Sequence, residues 1–217
     1  MSALDTLNGV AFSAFGEHFK WTDVLGNGLG LGGLALGWRR SVWAWPVQLL
    51  SGVVLVAAYW SAQLTGGVGK QLLVIGVAVW GWFQWRRGAR DGGEVRVRFA
   101  TWRERGALAA GTAAGLLAVV GLFTLYPSLS WNPWPDAYIF VGTVAAMVAM
   151  ARGWVEFWFA WLAVDTVGVP LAWNSDLKFS ALVYVIYFVL VIAGLYAWWQ
   201  QTRVPRHGGP VPEGAAA

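Results

Sequence analysis

The 217-residue chain contains no cysteine and only two histidines, and just 12% of its residues are charged. Without cysteine there is no disulfide framework and no thiolate metal ligand, and His18 and His207 lie outside the apolar runs, so no transition-metal site is encoded. A charged share about half that of an ordinary soluble domain excludes a solvated globular surface. Lysine is scarce as well. Lys178 stands at the start of the last apolar run rather than at its middle, which excludes a retinal attachment site. The stretch "GGVGKQ" (66–71) falls short of a phosphate loop, because Leu64 stands where the pattern needs Gly and Gln71 replaces the magnesium-holding Ser or Thr. No cofactor and no enzyme activity are expected.

What the chain has instead is apolar length: 58% of its residues are hydrophobic and 17 are tryptophan. Seven apolar runs, at about 22–38, 43–60, 68–85, 106–126, 136–152, 154–173 and 178–200, each match the ~30 Å core of a bilayer. In lipid every backbone amide must be satisfied within its own segment, and no alternating ten-residue barrel strands occur, so all seven are expected to be transmembrane helices. The chain reads as an all-α integral membrane protein. Residues 1–20, with Leu4, Leu7, Val10, Ala11 and Phe15 beside Asp5, Glu17 and Lys20, are expected to be an extracellular interfacial helix. Residues 204–217 are expected to be a disordered cytoplasmic tail. Arg39, Arg40, Arg86, Arg87, Arg90, Arg96, Arg98, Arg103, Arg105, Arg152, Arg203 and Arg206 fall on one side of this topology, and only Lys20, Lys70 and Lys178 on the other. The positive-inside rule then puts the amino terminus outside the plasma (inner) membrane and the carboxyl terminus inside. The basic linker 86–105 is cytoplasmic and serves topology and anionic-lipid contact rather than nucleic acid.

Compared with itself, the chain repeats. Shifted by 113 residues, Asp23 falls on Asp136, Arg39 on Arg152 and Trp45 on Trp158. A shift of 116 then lays "GWFQWRR" (81–87) on "AWWQQTR" (197–203), with Trp82 on Trp198 and Gln71 on Tyr187. The division is a first three-helix repeat at 21–85, the linker 86–105, a linker helix at 106–126 and a second three-helix repeat at 136–203. With one span between them the triplets point the same way, which gives a 3+1+3 parallel repeat about the membrane normal, SWEET-like in plan.

Such a repeat encloses a central cavity, and helical spacing selects the faces that line it. Trp154, Trp158, Trp161 and Asp165 share one stripe; their mates Trp45, Gln48 and Gly52 form another. Gln71, Ile75, Ala78 and Trp82 align on the third span, and Tyr184, Tyr187, Val191, Gly194 and Trp198 on the seventh. A lone carboxylate near mid-membrane costs at least ~2.5–3.5 kcal/mol if it faces lipid, so Asp165 must face protein or water. Every Lys and Arg lies at a span end or in a loop, so Asp165 reads as a ligand acceptor, a proton site, or a protonated acid bonded to a neighbouring helix. Asn27 either lines the cavity or bonds across helices. Gly26, Gly30, Gly33 and Gly37 serve close helix packing. Glu156, four residues after Arg152, is expected to form a structural ion pair with it.

The stretches "GNGLGLGGLALGWRRSVWAWPVQ" (26–48), "GKQLLVIGVAVWGWFQWRRG" (69–88) and "ARGWVEFWFAWLAVDTVGVPL" (151–171) resemble the Pnu-type vitamin transporters. The loop strings "WTDVLGN", "VRFATWRERGA" and "PSLSWNPWPDAYIFVGT" are similar to its riboflavin-transporting branch, called RibM or PnuX. The resemblance spans residues 15–203. Where nicotinamide riboside transporters of the family carry Asn, this chain has Asp165. It implies riboflavin as transported substrate, uptake by facilitated diffusion with alternating access, and trapping by cytoplasmic phosphorylation. The residues implied to bind substrate are Asp165, Trp161, Trp158, Gln48, Trp45, Gln71, Tyr187, Tyr184, Trp82 and Asn27. Other expectations compatible with these residues are the same machine carrying nicotinamide riboside or thiamine, and a non-transporting tryptophan-rich sensor. The expected partners are the substrate and the lipid bilayer, and self-association into a homo-oligomer is compatible with the sequence.

Overall fold

The computed structural model describes residues 9–14, 17–61, 65–92, 97–130, 132–174 and 178–203. The chain forms seven long helices: α1 (Trp21–Trp38), α2 (Ala44–Ser61), α3 (Thr65–Gly92), α4 (Trp102–Leu125), α5 (Pro133–Ala151), α6 (Glu156–Asn174) and α7 (Lys178–Arg203). Among the described residues, α4, α5 and residues 185–203 of α7 are each long and apolar enough to cross a membrane, and 24–38 and 44–57 are shorter apolar helices. The chain is an all-α multi-pass membrane protein.

Six of the helices pack in chain order into a ring. α1 lies on α2, α2 on α3, α3 on α5, α5 on α6, α6 on α7, and α7 returns to α1. α4 stands outside, packed along α5, with Leu117 and Leu125 turned outward. Its start is fixed by a capping box, in which Thr101 accepts from the Glu104 amide and the Glu104 carboxylate accepts from the Thr101 amide. The glycines of α1 let its neighbours come close. A Cβ built on Gly26 would lie 2.6 Å from Leu55, and one on Gly37 2.7 Å from Met150 of α5. Ser51 of α2 uses the same proximity to donate to the Gly26 carbonyl at 2.7 Å.

Two expectations fail here. The amino-terminal segment is not a helix: strands β1 (Val10–Ala14) and β2 (Glu17–Lys20) pair antiparallel, Phe12 opposite Phe19 and Ser13 opposite His18. The apolar residues of a short "VAFSA" run satisfy a two-residue period as well as a helical one, and pairing with a second strand decides between them. Glu156 does not pair with Arg152 either. α5 ends at Ala151, Gly153 turns the chain at φ 67°, and α6 begins only at Glu156. The helical four-residue relation is therefore broken, and the carboxylate meets Arg105 Nε at 2.7 Å and the Ala100 amide at 3.0 Å. Arg152 instead lies over the rings of Trp80 and Trp154. Trp154, outside α6, is no part of its stripe; Arg98 pairs with it in a short parallel bridge, donating to Gly153 and accepting from Val155. α3 runs on past residue 85, so Arg86, Arg87 and Arg90 belong to a helical extension. Residues 1–8 and the tail 204–217 lie outside the described residues.

Candidate functional site

The corner joining α1 to α2 recurs between α5 and α6, bond for bond. Arg39, Arg40 and Ser41 donate their backbone N–H groups to Ala35, Gly37 and Leu36; 113 residues on, Arg152, Gly153 and Trp154 donate to Val148, Met150 and Ala149. Ala44 and Trp45 donate to Ser41 and Val42, as Phe157 and Trp158 do to Trp154 and Val155. Both corners turn through a left-handed residue, Arg40 at φ 56° and Gly153 at φ 67°.

Each corner delivers one tryptophan into the bundle. Trp45 and Trp158 are 1% and 0% exposed. Trp45 backs onto Gly81 of α3 and meets Trp85 edge-on, centroids 5.5 Å apart at 88°. Trp158 backs onto Gly194 of α7 and meets Trp198 edge-on at 5.5 Å and 89°. Trp85 then donates its indole N–H across to the Met150 carbonyl at 2.9 Å, and Trp198 donates to the Trp38 carbonyl at 3.1 Å. The third helix of each triplet thus holds the end of the first helix of the other.

These contacts correct the register expected for the third helices. Gly81 matches Gly194 and Trp85 matches Trp198, so the offset stays at 113 and the mate of Trp198 is Trp85, not Trp82. The cause is the spacing of Trp80, Trp82 and Trp85: a three-residue slip is nearly one helical turn and presents almost the same face. Tyr184 is thereby the mate of Gln71, and Val74 the mate of Tyr187. Trp82 stands at the arginine-rich end, with Arg86 stacked 5.3 Å from its ring centroid.

Asp165 is 1% exposed, and neither carboxylate oxygen has a hydrogen-bond partner among the described residues. The indole N–H groups of Trp45, Trp158 and Trp161 are also buried without partners there. Buried polar groups are nearly always satisfied, so four of them among the residues chosen from the sequence mark a place built for something else to bond. Trp158, Trp161 and Asp165 share one face of α6 by spacing, and Trp161 is only half-buried.

A second group of polar residues joins α1, α2, α3 and α7. Tyr187 donates to the Asn27 carbonyl at 3.3 Å, and its Oη lies 2.8 Å from a Cβ built on Gly30, with Ser51 Oγ 3.8 Å from the same point. Gln71, 7% exposed, places its Nε2 3.4 Å from a Cβ built on Gly52, and Gln48 lies with its Oε1 2.9 Å from one built on Gly33. The Tyr184 side chain lies outside the described residues. Sequence reasoning missed Ser51, whose hydroxyl is buried beside this group, and Arg105, whose partner is 51 residues distant. At the arginine-rich end, hydrogen bonds from the Arg98 guanidinium and the Thr101 amide hold the Glu104 carboxyl down to about 2. Among the described residues no cluster of His, Cys, Asp and Glu could hold a metal ion.

Comparison with known proteins agrees with this construction. Residues 20–200 match the family model described as nicotinamide mononucleotide transporter. The chain is 58% identical over 217 residues to the riboflavin/roseoflavin transporter RibM of Streptomyces davaonensis, covering 99% of this chain and 100% of that protein. It is 20% identical over 226 residues to the nicotinamide riboside transporter PnuC of Escherichia coli, covering 93% and 95%. The crystal structure of the vitamin B3 transporter PnuC has the same fold, with a TM-score of 0.66 at 20% identity over 83% of this chain and 81% of that one. The chain belongs to the nicotinamide mononucleotide transporter family.

Proposed function

We propose that the protein imports riboflavin across the plasma membrane by facilitated diffusion, and that cytoplasmic phosphorylation traps the vitamin. The observation that carries the reading is the buried, unpartnered carboxylate of Asp165 on one helix face with Trp158 and Trp161. Its choice of substrate is supported by the likeness to the riboflavin/roseoflavin transporter of Streptomyces davaonensis. Isoalloxazine is flat and aromatic, suited to the half-buried face of Trp161 and to Tyr184 and Tyr187. Its imide N–H donates to Asp165, and its ring carbonyls accept from the indole N–H groups of Trp45, Trp158 and Trp161. The ribityl hydroxyls engage Gln48, Gln71 and Asn27.

The triplets act as two copies related by rotation about the membrane normal, with α4 as the connecting helix and the amino terminus outside. The recurring corner and the paired tryptophan contacts support that relation. Alternating access follows, because the copies rock about a site held between them. The test is uptake of radiolabelled riboflavin into proteoliposomes containing a flavokinase and ATP, challenged with unlabelled riboflavin, nicotinamide riboside and thiamine. Riboflavin alone competes at low concentration. Binding without accumulation would identify a sensor instead, and stronger competition by another vitamin would reassign the substrate.

A further inference from the structure

If the triplets were identical, the seam between α3 and α5 and the seam between α7 and α1 would be the same. They are not. At the arginine-rich end the α3–α5 seam has the Trp85 hydrogen bond to Met150 and, beside it, Arg152 stacked 5.6 Å from the Trp80 centroid. The α7–α1 seam keeps only the matching bond, Trp198 to Trp38, because Ala193 stands at the position equivalent to Trp80. Further along, the α3–α5 seam has Val74 and Phe140, both buried and apolar. At the equivalent positions the α7–α1 seam has Tyr187 and Asn27, joined by a 3.3 Å hydrogen bond with Asn27 exposed. α5 is covered along most of its length, from Ala137 to Ala151, whereas α1 exposes Leu25, Asn27 and Gly28.

Apolar packing of close-fitting side chains does not come apart in steps, while a single hydrogen bond over a glycine can be exchanged for water or ligand at little cost. Resting on the transport reading, we propose that the α3–α5 seam is the fixed hinge of the transporter and the α7–α1 seam its gate. Tyr187 on Asn27 is the outer latch and Trp198 on Trp38 the cytoplasmic latch, and the two open in turn while α3 and α5 stay joined. Gly30 leaves the space that the Tyr187 hydroxyl occupies when the outer latch is shut.

The absence of cysteine makes the test direct. Asn27→Cys with Tyr187→Cys reports on the gate, and Trp80→Cys with Arg152→Cys on the hinge, each bridged by a short thiol-cleavable crosslinker in proteoliposomes. Each uncrosslinked pair serves as its own baseline, and its riboflavin uptake tests the transport reading separately. Crosslinking the gate abolishes uptake and cleaving the linker restores it, whereas crosslinking the hinge leaves the rate within twofold. Spin labels that avoid all four positions give a second readout. The distance from Leu25 to Val185 changes when riboflavin is added, and that from Leu73 to Trp134 does not. Loss of uptake on crosslinking the hinge, normal uptake through a crosslinked gate, or a riboflavin-dependent change confined to the α3–α5 pair would overturn the assignment.

Discussion

On the same face of the same helix, the two triplets carry different chemistry. α2 presents Gln48, Ser51 and Gly52 where α6, 113 residues on, presents Trp161, Val164 and Asp165. The backbones that hold these residues are fixed by matching corners and by tryptophans lodged against matching glycines. What differs is therefore the side chains alone: one wall offers amides and a hydroxyl, the other aromatic rings and a single acid. A symmetric frame with unlike walls suits a ligand that is itself unlike at its two ends, a ring system joined to a polyol.

The comparison can be broken most visibly at the corners. Glu156, which ties Arg105 and Ala100 to the second corner, corresponds to Trp43 in the first, and Trp43 is 72% exposed. Breaking a buried ion pair costs 3–5 kcal/mol, and with the Arg105 side chain 35% exposed Glu156→Ala falls at the lower end, about 3 kcal/mol. Trp43→Ala changes stability by only about 0.5 kcal/mol, as other exposed sites do. Thermal unfolding in detergent measures both, and equal losses would mean that the second corner is not specially anchored. Next in size are Gly81→Ala and Gly194→Ala. Each puts a Cβ into a buried tryptophan ring and destabilises by about 2 kcal/mol. The two losses should match, and a large mismatch would break the equivalence of Trp45 and Trp158.

The walls themselves come third. Trp161→Ala removes a stacking surface worth ~1–3 kcal/mol and weakens riboflavin binding about five- to 150-fold. Gln48→Ala, its mate on the other wall, removes a hydrogen bond worth about 1 kcal/mol, roughly fivefold. Trp134→Ala, at an exposed helix start, leaves binding unchanged. Quenching of riboflavin fluorescence by the purified protein ranks the three, and a loss at Gln48 exceeding that at Trp161 would reverse the proposed orientation of the ligand.

Much of this was legible in the sequence, because bilayer thickness imposes a length on each helix and the scarce charges fix what lies between. Asp165 stood out for the same reason: an acid amid tryptophans must have a purpose in lipid. The hairpin at Val10–Lys20 did not, since five residues of weak pattern satisfy either period and only the partner strand decides. The register of α7 against α3 was misread by three residues because tryptophan recurs there at nearly one-turn spacing; it took the glycines beneath Trp45 and Trp158 to set it. Arg105 could not be assigned to Glu156 from sequence, as the pair depends on where the 97–101 segment docks, and helical spacing says nothing of that.

The account turns on Asp165, and its most direct test is riboflavin affinity and uptake for the wild type, Asp165→Asn and Asp165→Ala in one proteoliposome preparation, with and without an imposed pH gradient. As a hydrogen-bond acceptor for a neutral vitamin, the carboxylate can be replaced in part by an amide, so Asp165→Asn keeps partial uptake that ignores the gradient. Asp165→Ala leaves a ligand donor unpaired and loses ~1–3 kcal/mol, about five- to 150-fold in affinity. Wild-type affinity and uptake in both variants would contradict the account, and so would an Asp165→Asn protein that exchanges riboflavin normally yet has lost a gradient-driven accumulation present in the wild type.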